Sequence, residues 1–144
     1  MITNKFGEKY YKLALHLHSN LSDGAKSPEE IAKEYKLDGY DAIALTDHWV
    51  YSEGGTIDGL HIISGCEYNL GAAETISGVV HIVSLFTKAK PLGERTASVQ
   101  ELVDAINAAG GIAVLAHPAW SVNPPSIYLE NKGFVATEIY NAIS

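Results

Sequence analysis

Apolar residues along this chain gather in short runs, and between the runs lie segments whose apolar positions recur at helical spacing. Tyr11 to Leu17 is the first run and predicts a buried strand. Ala42 to Thr46 predicts a second, nearly all apolar and therefore covered on both faces. His61 to Ser64, Val79 to Phe86, Ile112 to Ala116 and Ala136 to Tyr140 complete six predicted strands. Ser27-Pro28-Glu29-Glu30 opens a helix with a serine cap, a proline at the first helical position and a glutamate three residues after the cap. Its apolar face is Ile31, Ala32, Tyr35 and Leu37, and Gly39 ends it. A second helix runs from about Val99 to Ala109, with Ser98 as cap, Glu101 in the capping-box position, Leu102, Val103 and Ile106 inward, and Gly110-Gly111 as the stop. Asn123-Pro124-Pro125 reads as a loop and Ser126 to Asn131 as a short helix. Apolar strands alternating with helices imply an α/β fold with a parallel sheet or a (β/α) barrel.

Length and composition narrow this picture. A chain of 144 residues holds one domain with a proper core, and 47% hydrophobic with 19% charged residues suits a globular protein. No segment has the apolar length of a membrane span, and the N-terminus lacks a signal-peptide core, so a cytoplasmic location is expected. One cysteine, Cys66, excludes an internal disulfide and a Cys-rich zinc finger. A net charge of −7 without a Lys/Arg run argues against an extensive duplex nucleic-acid surface. A small anionic substrate stays compatible, because bound cations can reverse the local field.

The histidines carry the chemistry. His16 and His18 stand two apart on the first predicted strand, so both imidazoles project from one face. Asp23, in the turn Ser22-Asp23-Gly24, can return a carboxylate toward them. Imidazole with carboxylate is a ligand set for divalent zinc, manganese or iron, and the expected chemistry is hydrolytic. His48 ends the second strand, Glu67 follows the third and His117 ends the fifth; strand C-termini are where barrel enzymes assemble active sites. His81 lies inside its strand, and His61 reads as structural. Asp47 reads either as a carboxylate orienting a ligand imidazole or as a strand-end acid in water. Trp49 and Trp120 suit either stacking on a substrate ring or rim packing. Lys88, Lys90 and Arg95 are candidates for phosphate contact, with a solvated loop as the plainer reading. Neither GxSxG nor a P-loop is present.

Taken together, His16-Leu17-His18-Ser19, Ser22-Asp23-Gly24, Thr46-Asp47-His48, Gly65-Cys66-Glu67, His81 and Ala116-His117-Pro118 resemble, in order, the motifs of the PHP domain, the polymerase and histidinol phosphatase family. The resemblance implies a metal-dependent phosphoesterase on a distorted seven-stranded, TIM-like (β/α) barrel, holding up to three zinc, manganese or iron ions. Carried over, His16, His18 and Glu67 would serve one ion, Glu67, His81 and His117 a second, and Asp23 and His48 a third. Asp23, His48, Glu67 and His117 are then the expected catalytic residues. The family's closing Asp-x-His motif has no counterpart here, which leads us to expect a domain truncated before that motif. Such a domain is an incomplete barrel of about six strands whose open sheet edges favour self-association. The implied substrate is a small phosphorylated molecule or an oligonucleotide. Two other readings stay open: an amidohydrolase-type ester or amide hydrolase, and a non-catalytic protein, either a metal-stabilised module or a fragment completed by a partner chain.

Overall fold

The computed structural model describes residues 2–71, 78–91, 95 and 97–141. The chain divides into two compact units, residues 1–66 and 67–144.

The first unit opens with an exposed antiparallel hairpin, β1 (Ile2–Thr3) and β2 (Lys9–Tyr10). Its residues are exposed on both faces, so no hydrophobic alternation announces it. β3 (Leu13–Ala14) then leads through α1 (Pro28–Leu37) to a parallel partner, β4 (Ala42–Ala44). After β4 comes β5 (Gly55–Ile57), antiparallel to β6 (Leu60–Ile63), which pairs in parallel with β4. The sheet order is β3-β4-β6-β5. Helix α1 starts where the sequence places it. The Ser27 hydroxyl accepts from the Glu30 N–H, and the Glu30 carboxylate accepts from the Ser27 N–H at 2.8 Å. Ile31 and Ala32 of α1 join Ile43, Leu45, Leu60 and Ile62 in one buried cluster, with Leu17 and Tyr35 at its edge.

Regular pairing of the first strand stops at Ala14, three residues short of the expected end. A side chain takes over beyond it. Thr46 donates its N–H to the Leu17 carbonyl at 2.7 Å, and its hydroxyl accepts from the Leu17 N–H at 3.0 Å. His16 and His18 therefore flank a residue anchored at both backbone groups.

The second unit contains β8 (Val79–Leu85), α2 (Val99–Ala108), β9 (Ile112–Leu115), α3 (Ser126–Glu130) and β10 (Phe134–Thr137). Its fourth strand, β7 (Gly65–Gly71), begins at the last two residues of the first unit, and the order is β10-β9-β8-β7. Helix α2 repeats the capping box, with Ser98 and Glu101, and buries Leu102, Val103 and Ile106. Gly110 follows its C-terminus at φ 77°, a left-handed conformation that glycine adopts without strain.

Two expectations are corrected here. β8 and β9 pair antiparallel, with Ile82 opposite Leu115 and Ser84 opposite Ala113, so the sheet is mixed. A run buried on both faces looks the same in either direction, and the sequence does not encode which. Neither four-stranded sheet closes on itself, so the fold is mixed α/β with open sheets rather than a (β/α) barrel. β10 also starts two residues earlier than expected, and Glu138 extends its pairing by donating its N–H to Leu115 O at 2.9 Å. Among the described residues, no helix is long and apolar enough to cross a membrane.

Candidate metal centre

In the first unit, His16 and His18 converge as their spacing predicts: their Nε2 atoms lie 3.2 Å apart. The other nitrogen of His18, Nδ1, lies 2.7 Å from Asp23 Oδ1. A carboxylate only accepts, so His18 Nδ1 carries the proton and its Nε2 presents a lone pair toward His16. The second oxygen of Asp23 stands 3.7 Å from His48 Nε2, and the His18 and His48 rings meet edge to face at 4.6 Å. His18, Asp23 and His48 thus offer one donor atom each within a space small enough for a single ion. Burial alone would raise the Asp23 pKa; the hydrogen bond from His18 and the positive charge that His18 and His48 carry at acid pH, aided by Ser22, outweigh it and hold the carboxyl below its ordinary value.

The Ser19–Gly24 turn that delivers Asp23 is tight for a reason visible in its glycine. A Cβ on Gly24 would lie 2.2 Å from the His18 carbonyl oxygen and 2.9 Å from the Ser19 carbonyl carbon. Only a residue without a side chain lets the turn fold back against the HxH segment. Gly24 N–H and Ser22 N–H both donate to Ser19 O, at 2.9 and 3.1 Å.

In the second unit, Glu67 Oε1 sits 2.9 Å from His81 Nδ1 and 3.1 Å from His117 Nε2. The Glu67 side chain is 1% exposed and His117 6%. A carboxylate so buried is costly unless paired, and here both imidazoles address one oxygen. His117 Nδ1 lies 3.1 Å from Ser121 Oγ, which fixes the plane of the ring. Its backbone adopts φ 24°, unusual for a residue with a side chain, and its N–H donates to Glu138 Oε2 at 2.8 Å. The Trp120 indole stands edge to face with His117 and His81, 5.3 and 6.5 Å between ring centres.

The His18, Asp23 and His48 donors fit a single divalent ion, and in the second unit Glu67 makes a ligand-spaced pair with each of His81 and His117. Nitrogen and oxygen ligands at about 2.0–2.2 Å from an ion fall about 3 Å from each other, and the pairs above lie at 2.9, 3.1 and 3.2 Å. The second set joins Glu67, His81 and His117, and His81 faces Glu67 although it lies inside its strand. His61 is exposed on β6 and belongs to neither donor set. Asp47 is neither a water-exposed acid nor bonded to a histidine ring through its carboxylate; it is buried against two serines. Ser19, Ser22 and Ser121 were not singled out as functional by the sequence pattern. Their only signal is adjacency, each lying within four residues of a candidate ligand.

The PHP domain family matches residues 14–115, and the chain belongs to that family. No curated protein sequence matches it. Among solved structures, it is similar to an amidohydrolase from Chromobacterium violaceum, bound to sulfate and without metal, at 18% identity and a TM-score of 0.67 over 88% of this chain and 76% of that one. It is also similar to a provisionally assigned metal-dependent phosphoesterase from Bifidobacterium adolescentis, at 14% identity and a TM-score of 0.65, covering 92% of this chain and 78% of that one. A two-domain protein from Bacteroides vulgatus, containing a predicted PHP-like metal-dependent phosphoesterase, aligns at 23% identity and a TM-score of 0.57 over 80% of this chain and 37% of its own length.

Proposed function

We propose that this chain is a metal-dependent hydrolase acting on phosphate esters, of small molecules or of oligonucleotide ends. The observation that carries the reading is the buried Glu67 carboxylate addressed by two imidazoles on one oxygen, in a chain of the PHP family. Zinc, manganese or iron would be held by His16, His18, Asp23 and His48 in the first unit and by Glu67, His81 and His117 in the second. Such ions, when bound, would supply Lewis acidity that polarises a phosphoryl oxygen and acidifies a water toward neutrality.

The chain's own groups prepare that chemistry. Asp23 holds the proton of His18 on Nδ1, so that Nε2 faces outward as a donor. Ser121 and Glu138 fix the His117 ring and backbone. We assign catalytic roles to Asp23 and His48 in the first unit and to Glu67 and His117 in the second. Trp120, 58% exposed beside His117, offers an aromatic face to a substrate ring. Lys88, Lys90 and Arg95 are the candidate phosphate contacts. Among catalytic roles, orientation by fixed partners accounts for what this framework contributes without the ions.

The test is metal analysis of the purified chain followed by assay against bis-p-nitrophenyl phosphate and a carboxylic ester, with added manganese or zinc. Phosphodiester turnover that disappears in His16→Ala supports the proposal. Ester turnover alone favours an amidohydrolase-type activity instead, and bound metal without turnover on either substrate favours a non-catalytic module.

A further inference from the structure

Asp47 is 2% exposed and spends its carboxylate on the turn that carries Asp23. Oδ1 accepts from the Ser19 N–H at 2.7 Å and from the Ser22 hydroxyl at 2.7 Å, and Oδ2 accepts from the Ser19 hydroxyl at 2.8 Å. Its backbone carbonyl receives the Cys66 thiol at 3.6 Å. Three short bonds from one carboxylate thus pin both ends of the segment between His18 and Asp23.

The Ser22 hydroxyl makes the arrangement more than a brace. It has one proton and two carboxylates in reach: Asp47 Oδ1 at 2.7 Å and Asp23 Oδ1 at 3.1 Å. The shorter, better contact takes the proton, so Asp47 wins it. Asp23 Oδ1 is then left to the His18 N–H at 2.7 Å, and Oδ2 stays directed at His48. If Asp47 were absent, the hydroxyl would turn to Asp23, compete with His18 and release the turn.

We infer that Asp47 is a positioning residue: by binding Ser19 and claiming the Ser22 proton, it keeps Asp23 an open acceptor and sets the donor geometry of His18, Asp23 and His48. This rests on the metal reading above for its consequence but not for its structural claim. Partners that orient metal ligands usually change affinity by about 10- to 100-fold when removed.

The test is calorimetric titration of the full chain with Mn²⁺ or Zn²⁺ alone, the relevant step being the one that vanishes in Asp23→Ala. Asp47→Ala should weaken that step by about 10- to 100-fold and Ser22→Ala by about 10-fold, while Asp47→Asn, which keeps the shape and the Oδ1 acceptor, should stay within about threefold of the parent. Asp47→Ala combined with Ser22→Ala should cost no more than Asp47→Ala alone, because the second change removes the hydroxyl that Asp47 keeps from Asp23. Should Asp47→Ala fail to fold, Ser22→Ala and Asp47→Asn carry the test. Unchanged affinity in Ser22→Ala, or an Asn variant as weak as the Ala variant, overturns the inference. If the parent chain takes up no ion, the metal reading falls and the positioning claim is read separately. It then stands or falls by nitrogen NMR of the His18 ring in the metal-free protein. A proton on Nδ1 in the parent that is lost in Asp47→Ala and regained in Asp47→Ala combined with Ser22→Ala upholds it, and a ring unaltered in Asp47→Ala overturns it.

Discussion

The two donor clusters are built on opposite principles. In the first unit the side chains of His18, Asp23 and His48 are 21, 66 and 27% exposed, and a polar turn holds them. In the second, His81, Glu67 and His117 are 15, 1 and 6% exposed, on or next to strands whose other residues are largely buried. The wet cluster keeps its groups solvated, so each loses little when a neighbour is removed. The dry cluster holds a carboxylate that cannot do without its imidazoles. Placement in the first unit depends on a hydrogen-bonded turn and in the second on the sheet.

Four substitution experiments probe that contrast. The largest effect is expected from Gly24→Ala, which drives a Cβ into the His18 backbone and should cost about 3 kcal/mol in urea denaturation. It should also abolish ion binding by the first unit while sparing the second; loss of both would show the clusters are not separable. Next, Glu67→Ala strips two imidazoles of a shared acceptor and should cost about 2–3 kcal/mol. Asp23→Ala should stay within about 1 kcal/mol of the parent although it too removes a donor. Equal costs for these two would break the comparison. Third, Ser27→Ala and Ser98→Ala remove equivalent caps from α1 and α2, and each should cost about 1 kcal/mol, showing that the units differ in their sites and not in their helices. The smallest effect is on acid stability. Bonds from the Ser98 N–H and hydroxyl hold the Glu101 carboxyl below its ordinary pKa, so the folded chain binds that proton less readily than the unfolded one. The stabilisation is complete above the ordinary carboxylate value and is lost as pH falls through the lowered one. Glu101→Gln should therefore flatten the acid limb of a pH–stability curve.

Local signals were legible wherever the physics is local. Helices α1 and α2 begin at the serine caps that their sequences announce, and His16 and His18 meet because residues two apart in extended chain share a face. Glu67 was legible as a candidate by its motif, but the sequence places it past the third strand, whereas it sits inside the separate strand β7. β5 and the first hairpin are short and largely exposed, so they leave no hydrophobic trace. Strand direction in the second sheet depends on long-range pairing that an apolar run does not specify. The serines were hidden for a related reason: a hydroxyl becomes a clamp only once the fold brings a carboxylate, such as Asp47, to it.

Cys66 gives the molecule a gauge of its own. As the one thiol in the chain, wholly enclosed and one residue before Glu67, it stays out of reach of an alkylating reagent until the surrounding strand comes loose. The speed at which iodoacetamide labels it therefore reports how often this part of the protein breathes. Added cations that tighten the neighbouring carboxylate should slow the labelling with no engineered probe required.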